Sequence, residues 1–302
     1  MEEKNRIYLR GLTGSSPIGA MAAFGTLRIC SRIPKIVSPK LMWTMEDDWI
    51  AVLQTDNMVE EDELPTILCG YLKENREIIT SILKMGGSED IRTSPDKLHH
   101  ALQSKLEKSS YSGREEVDYW AAFTAENAVD RSKGLSKPSD LYMISGNQSF
   151  AKKVMNLYEN TDEELIHEAL YTTWEYTGSH EYSMGWDPVT LRMHVVRKKA
   201  PTDDTSPLCE IGAECLAFHS LPLFPVFSFQ GRIMTTGFEK DRFIWPIWKS
   251  PISYDTLRTL VQSLGSVDMG LRNGITALYQ SYRISMAKGY GSFTPAEPAK
   301  IR

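Results

Sequence analysis

Apolar and polar positions along this chain follow two different periods, and the balance between them shifts from one end to the other. Leucine and isoleucine recur at helical spacing in the segments that begin near Glu61 and Asp162. Strand-like segments rich in aromatic residues dominate later, at Phe224–Phe229 and Phe243–Trp248. The pattern therefore predicts an α+β fold, with most helices in the N-terminal part and most strands in the C-terminal part.

The change in character falls around residues 178–205, where Gly, Ser and Pro interrupt both patterns. We predict a helix-rich α+β region over residues 1–178 and a mixed region with aromatic strands over residues 179–302. The boundary is soft, so one integrated domain fits the pattern as well. Pro246 is expected to place its strand at a sheet edge, because proline cannot donate to a strand ladder.

Local signals place further elements. Ser16 before Pro17 and Ser253 predict the caps of two helices. Trp245 and Trp248 lie an odd number of positions apart, so a regular strand is expected to expose one of them. Other predicted elements are a hairpin over residues 41–55, one long helix over 61–85, a helix over 119–129 and a short strand over 141–144.

The stretch from Leu9 to Ile29 combines a glycine turn with a helix that carries Gly19 and Gly25. Glycine costs roughly 1 kcal/mol relative to alanine inside a helix, so these positions predict close approach of another backbone. One interpretation is a tight strand–turn–helix packing unit. The other is a backbone site for a nucleic-acid phosphate at the helix start, where Ser15 and Ser16 lie.

Composition predicts a protein without membrane spans or disulfides. The chain has 302 residues, of which 41% are hydrophobic and 24% charged, and none of its apolar runs approaches the ~20 residues of a membrane helix. The four cysteines are too widely spaced for a disulfide framework or a zinc knuckle, and MEEKNR does not resemble a signal peptide. We therefore expect buried, reduced thiols, a cytoplasmic location and no membrane partner.

The net charge of −5 hides an uneven distribution. Residues 41–72 hold eight Asp and Glu and no Lys or Arg, whereas residues 231–302 hold ten Lys and Arg against five Asp and Glu. The acidic window is suited either to docking a basic partner or simply to solvation. The basic C-terminal third is suited to contact with a phosphate backbone, although the overall acidity argues against general nucleic-acid binding.

The sequence contains no recognisable catalytic or metal-binding motif, and we predict neither catalytic residues nor a cofactor. A metal-dependent nuclease needs several carboxylates at one ion, and no spacing here demands that arrangement. It stays open as an alternative if the fold gathers carboxylates from distant positions. The candidates for such a site are Glu175, Glu181, Asp187 and Glu214.

Basic and amide side chains cluster between a predicted loop and a helix start. They are typical of a clamp on nucleic-acid phosphates, although a solvated helix face explains them equally well. The predicted contact residues in this cluster are Arg131, Lys133, Lys137, Asn147, Gln148, Lys152 and Lys153. Aromatic residues from Phe218 to Trp248 offer base stacking, but aromatic residues at strand spacing more often form the core.

Several blocks, in conserved order along the chain, resemble a family of CRISPR-associated proteins of the I-G (formerly I-U) subtype. The blocks are Gly11–Arg28, Lys137–Gln148, Gly185–Met193, Ala217–Val226, Thr235–Phe238 and Phe243–Pro251. The third block departs from the family pattern, because Arg192 falls five residues after Asp187. None of these blocks is a catalytic signature.

The resemblance implies a large-subunit-like or accessory component of an RNA-guided effector, with other effector subunits and guide RNA or target DNA as partners. In such complexes base pairing reads most of the sequence, and protein subunits hold the backbone. We therefore expect a non-catalytic, nucleic-acid-contacting subunit in antiviral defence. The alternatives are the metal-dependent nuclease and a small-molecule binder that uses the Gly-rich turn.

Overall fold

A computed structural model describes most of the chain and shows the predicted α+β architecture. The described residues are 5–85, 90–107, 111–144, 148–176, 182–188, 209–264, 274–285 and 291–299. The alternation of apolar and polar residues over 191–197 also predicts a strand, and residues 201–207 a turn-rich connector, but both segments lie outside the described residues. None of the described helices is long and apolar enough to cross a membrane.

Helices dominate the first part of the chain and strands the last part. The helices are α1 (Pro17–Cys30), α2 (Glu63–Glu74), α3 (Arg76–Leu83), α4 (Pro95–Glu107), α5 (Tyr111–Phe123), α6 (Phe150–Asn160), α7 (Glu163–Tyr171), α8 (Ile211–Phe218) and α9 (Tyr254–Ser263). The strands are β1 (Asn5–Thr13), β2 (Lys40–Met45), β3 (Trp49–Thr55), β4 (Thr124–Asp130), β5 (Leu135–Pro138), β6 (Val226–Phe229), β7 (Arg232–Thr235), β8 (Phe238–Glu239), β9 (Arg242–Trp248), β10 (Ile275–Ser285), β11 (Gly291–Phe293) and β12 (Glu297–Pro298).

The N-terminal sheet is antiparallel with the order β1-β3-β2, and helix α1 packs beside it. Every residue of α1 is buried. A Cβ atom added at Gly25 would lie 1.8 Å from the carbonyl oxygen of Leu216 in α8, and one added at Gly19 would lie 2.5 Å from that of Thr13. The glycines therefore permit close backbone approach, which confirms the packing interpretation of this segment.

The second large sheet has the order β11-β10-β9-β8, with β12 also paired to β10. Strand β9 pairs with β10 along its length, whereas β8 pairs only with Arg242 and Phe243. The prediction of an edge strand is therefore wrong for β9 as a whole, which lies between β10 and β8, although Pro246 itself lies beyond β8, where β9 has one neighbour. The expectation that Trp245 or Trp248 is exposed is wrong, because helix α1 and the N-terminal sheet cover this part of the second sheet. The indole of Trp245 donates to the backbone carbonyl of Gly14 at 2.8 Å, and that of Trp248 donates to the backbone carbonyl of Leu41 at 2.9 Å.

Local predictions differ from the structure at three places. The predicted helix over residues 61–85 is two helices that meet at Asn75, whose backbone geometry is not helical. The predicted helix over residues 119–129 begins earlier and ends at Phe123, where β4 begins and pairs with β5. Residues 141–144 form no strand. At Asn75 the side-chain amide donates to the backbone carbonyl of Tyr71 at 2.9 Å, and β4 pairs with the neighbouring strand β5, so the first two differences arise from nearby residues.

The core continues across residue 178, because α8 packs against α1, α6 and α7. Arg28 is fully buried at this junction and donates to the Glu115 carboxylate at 2.5 Å and to the Tyr119 hydroxyl at 3.1 Å. The Tyr119 hydroxyl is also hydrogen-bonded to Nδ1 of His219 at 2.8 Å, and the Tyr158 hydroxyl is hydrogen-bonded to Nε2 of the same ring. Burial holds the pKa of His219 well below its usual value, so this imidazole is neutral.

All four cysteines are buried and free, as the sequence predicts. Burial raises the pKa of Cys30 and of Cys215 to about 12. These thiols therefore stay protonated and act as small apolar side chains.

Candidate nucleic-acid interface

Strands β6 and β7 form a hairpin that presents one face to solvent. Gln230 and Gly231 join the strands, and both have positive φ, of 50° and 71°. This conformation is that of a type I′ turn, whose twist matches that of the strands, and the glycine adopts it without steric cost. The turn fixes the register that pairs Phe227 with Met234 and Phe229 with Arg232.

The outer face of this hairpin combines two aromatic rings with a cation. Residues directly opposite each other, or two apart on one strand, share a face. Phe227, Phe229, Arg232 and Met234 therefore lie on the same face, and all four are exposed. Phe227 is 56% exposed and Phe229 57% exposed, whereas the alternate residue Thr235 is buried.

The exposure of these two rings separates them from the other aromatic residues between Phe218 and Trp248. Phe238 is half-buried. The fully or almost fully buried members are Phe218, Phe224, Phe243, Trp245 and Trp248. Most of these aromatic residues therefore belong to the hydrophobic core, as their strand spacing favours. Phe227 and Phe229 are exposed instead and are available for contact with another molecule.

A second hairpin, β4–β5, packs against the first and carries the predicted cations. Arg131 and Lys133 are exposed in its turn, where the Asp130 carboxylate accepts from the backbone and hydroxyl of Ser132. Those hydrogen bonds lower the pKa of Asp130 and hold the turn in shape. Lys137 on β5 donates to the carbonyl oxygen of Gly231 at 3.1 Å, so it links the two hairpins.

A pocket of about 370 Å³, which we call the hairpin pocket, opens between the two hairpins. Its polar lining includes Lys137, Arg232, Arg283 and Asp140. Arg283 lies 3.8 Å from the Asp140 carboxylate and donates to the backbone carbonyl of Tyr142 at 3.2 Å. Burial raises the pKa of Asp140, although a hydrogen bond from Thr235 and the charge of Arg283 partly offset that effect.

The predicted contacts at the start of α1 have other partners. Ser16 caps the helix by accepting from the backbone of Gly19 at 3.3 Å. Ser15 donates to the carboxylate of Asp48, which also accepts from the backbone of Trp49. A phosphate at this helix start would lie against the Asp48 carboxylate, so the geometry does not favour the phosphate interpretation of Ser15 and Ser16.

Of the predicted residues beyond the second hairpin, the structure describes three, and one of them is exposed. Gln148 is half-buried, and Lys152 is exposed on α6, which packs against α3 and α8. Lys153 differs from the expected solvated side chain: it is 8% exposed, and its Nζ donates to the backbone carbonyl of Ser183 at 2.8 Å. Asn147 lies outside the described residues.

Lys153 belongs to an interior cluster of carboxylates on and beside α8. Burial and the neighbouring Asp187 raise the pKa of Glu214 to about 8, which Lys153 offsets only in part. Burial, Glu168 and Asp187 raise the pKa of Glu210 to about 7. The structure thus brings together two of the four carboxylates proposed for a nuclease, Asp187 and Glu214.

The other two nuclease candidates do not join that cluster in the described part of the chain. Glu175 is exposed, and Glu181 lies outside the described residues. Within the described ranges, His, Cys, Asp and Glu form no group of three or more that could hold a metal ion.

Comparisons with protein-family models, with curated proteins and with solved structures give no match for this chain.

Arg232 and Arg283 are absent from the sequence-based prediction of contact residues. A signal for Arg232 exists: Gln230 and Gly231 separate two short alternating runs, which is typical of a two-residue hairpin and would pair Arg232 with Phe229. Arg283 had no such signal, because only the pairing of β10 with β9 and β11 brings it beside Asp140.

Proposed function

We propose that this chain is a non-catalytic subunit or accessory protein of an RNA-guided CRISPR effector complex in the cytoplasm, where it holds single-stranded nucleic acid. The observation that carries the proposal is the exposed face of β6–β7, on which Phe227 and Phe229 lie beside Arg232. Stacking on aromatic rings and charge contacts with phosphates are the two interactions by which proteins hold single strands.

The spacing of the two rings supports this proposal. Side chains two residues apart on a strand are about 6.7 Å apart. Stacked bases are separated by about 3.4 Å, so this spacing leaves room for one base between Phe227 and Phe229. A base within a duplex is already stacked on both sides, and the face therefore favours single strands.

The cations of the second hairpin extend the same interaction to the backbone. Arg131, Lys133 and Lys137 lie on an element that packs against the aromatic hairpin. Contacts of this kind hold a strand without reading its sequence. The resemblance to CRISPR-associated proteins of the I-G subtype supports guide RNA or target DNA as the strand, and other effector subunits as neighbours.

Binding of labelled single-stranded RNA and DNA and of duplex DNA, measured by fluorescence anisotropy, tests the interface. The double variant Phe227→Ala with Phe229→Ala is expected to weaken single-strand binding by about tenfold or more, since each stacked base contributes about 1–3 kcal/mol. Met58→Ala is the matched control, because Met58 is 71% exposed on the acidic part of the chain. Equal affinity of both variants would contradict the proposal.

Purification of the tagged chain from its host tests the assembly. We expect RNA with CRISPR repeat sequence and other effector subunits to co-purify. Replacing Arg131, Lys133 and Lys137 with Glu is expected to release the RNA while the subunits stay bound. A chain that purifies alone, with no RNA or protein partner, would contradict this role.

A further inference from the structure

The side chains that line the hairpin pocket carry more positive than negative charge. Lys137, Arg232 and Arg283 line it together with one carboxylate, Asp140. The lining residues thus carry an excess of about two positive charges, which the nearby Asp241 carboxylate reduces. A terminal phosphate monoester carries about −1.5 to −2 at neutral pH, whereas a phosphodiester within a strand carries about −1.

One donor of Arg283, a residue that lines this pocket, has no partner among the described residues. Nε of Arg283 is shielded from solvent and has no hydrogen-bond partner among the described residues. The guanidinium is fixed from its other side by Asp140, at 3.8 Å, and by the backbone carbonyl of Tyr142. A shielded N–H without an acceptor is costly, so the Arg283 guanidinium has donor capacity that Asp140 and Tyr142 do not use.

The pocket also adjoins the aromatic face. Arg232 lines the pocket and is the cross-strand partner of Phe229, so the phosphate site and the stacking site share one residue pair. Opposite residues in such a pair have Cβ atoms about 5 Å apart, which is within the span of one nucleotide. A nucleotide stacked on Phe229 therefore has its phosphate within reach of Arg232.

We propose that the hairpin pocket binds the terminal phosphate of a single strand whose end bases stack on Phe229 and Phe227. This inference rests on the proposed single-strand binding and adds recognition of a strand end. Arg283 and Arg232 donate to the phosphate oxygens, Lys137 adds charge, and Asp140 positions Arg283. Arginine suits this role because its planar fork matches phosphate oxygens.

Oligonucleotides of one sequence with a 5′-phosphate, a 3′-phosphate or no terminal phosphate, compared by fluorescence anisotropy, test the proposal and distinguish the two strand ends. A phosphate at one end is expected to tighten binding by about tenfold or more, as charge-assisted hydrogen bonds do. Arg232→Gln and Arg283→Gln should each reduce that gain to about twofold or less. Lys35→Gln removes an exposed charge beside Glu63, away from the pocket lining, and should keep the full gain.

The inference is overturned if neither terminal phosphate changes the affinity of the wild-type protein, or if the gain survives in both arginine variants. Arg232 is exposed, so its variant keeps the test valid should Arg283→Gln fail to fold. Loss of binding in the Phe227→Ala, Phe229→Ala variant without any phosphate effect would remove the pocket inference alone.

If no oligonucleotide binds the wild-type protein, the proposed function fails, and calorimetric titration with thymidine 5′-monophosphate decides the pocket separately. Binding that Arg232→Gln abolishes would support a phosphate site. Absence of binding would overturn it.

Discussion

The junction of α1 and α8 and the pair of hairpins use the same residue types in opposite ways. At the junction, Arg28 lies in the core with its cation over the Tyr119 ring, 4.7 Å from the centroid, and ion-paired to Glu115. At the hairpins, Arg232 and the Phe229 ring face solvent. An arginine beside an aromatic ring is therefore no sign of binding by itself. What distinguishes the two regions is whether the chain itself surrounds the pair.

The difference has an energetic consequence. A buried cation is desolvated and depends on its carboxylate and hydroxyl partners, so removing one partner is costly. An exposed cation is solvated, and its loss hardly changes the free energy of unfolding. Substitutions in the first region should therefore reduce stability, and substitutions in the second should reduce binding and leave stability unchanged.

The largest effect is expected at Arg28. Arg28→Met keeps most of the side-chain volume but removes the donor to the Tyr119 hydroxyl and one of the two arginines that pair with Glu115, leaving Arg32 as the other. We expect a loss of about 3–5 kcal/mol in the free energy of unfolding, measured with urea. Arg114→Met is the control, because it breaks a pair in which the arginine side chain is 62% exposed, and should cost less than about 1 kcal/mol. Equal losses in the two variants would mean that burial does not distinguish these arginines.

A smaller loss is expected where α1 meets α8 through glycine. Gly25→Ala places a methyl group against the carbonyl oxygen of Leu216 and should cost about 1–3 kcal/mol. Gly70→Ala lies within α2 with nothing inside 4 Å of the added atom, and should gain about 0.5–1 kcal/mol. Thermal and urea unfolding of both variants measure these two changes in stability. A neutral Gly25→Ala would contradict the close approach of the two backbones.

The sequence predicted α1 correctly because the caps and glycines that define it are local. Ser16, Pro17 and the small residues specify a helix start and a close contact whatever lies opposite. The α+β class and the hairpin β2–β3 follow from local periodicity in the same way. The identity of the contacting helix, α8, does not, because it lies almost 200 positions away in the chain.

The candidate interface was only partly predictable for the same reason. Arg131, Lys133 and Lys137 are adjacent in sequence and were found by charge, whereas Lys153 has the same charge and lies in the interior beside Glu214. Which lysine is exposed depends on α6 packing against α8, and a charge count contains no information on that. Exposure of Phe227 and Phe229 likewise depends on which face of β6–β7 the β4–β5 hairpin covers.

The interior carboxylates make the stability of the buried region depend on pH. The pKa of Glu214 is raised from 4.5 to about 8 by burial and by Asp187, so the folded protein binds a proton that the unfolded chain has released between these values. The contribution of Glu214 to the free energy of unfolding is fully present below about pH 4.5. It declines by about 1.4 kcal/mol per pH unit as the pH rises towards 8. Urea unfolding at pH 6 and pH 7 measures the slope. Glu214→Gln should remove that contribution, and Glu164→Gln, on an exposed site, should leave it unchanged.

The smallest stability effect is expected at the outer face of β6–β7. Phe229 is 57% exposed, so Phe229→Ala removes few buried contacts and should change the free energy of unfolding by less than about 0.5 kcal/mol. Phe243, on β9, is fully buried against Phe224 and Phe293, and Phe243→Ala should cost about 3–5 kcal/mol. Urea unfolding of both variants measures the contrast. A large loss at Phe229 would mean that the ring supports the fold, and the hairpin would then offer no free aromatic surface to a nucleic-acid base.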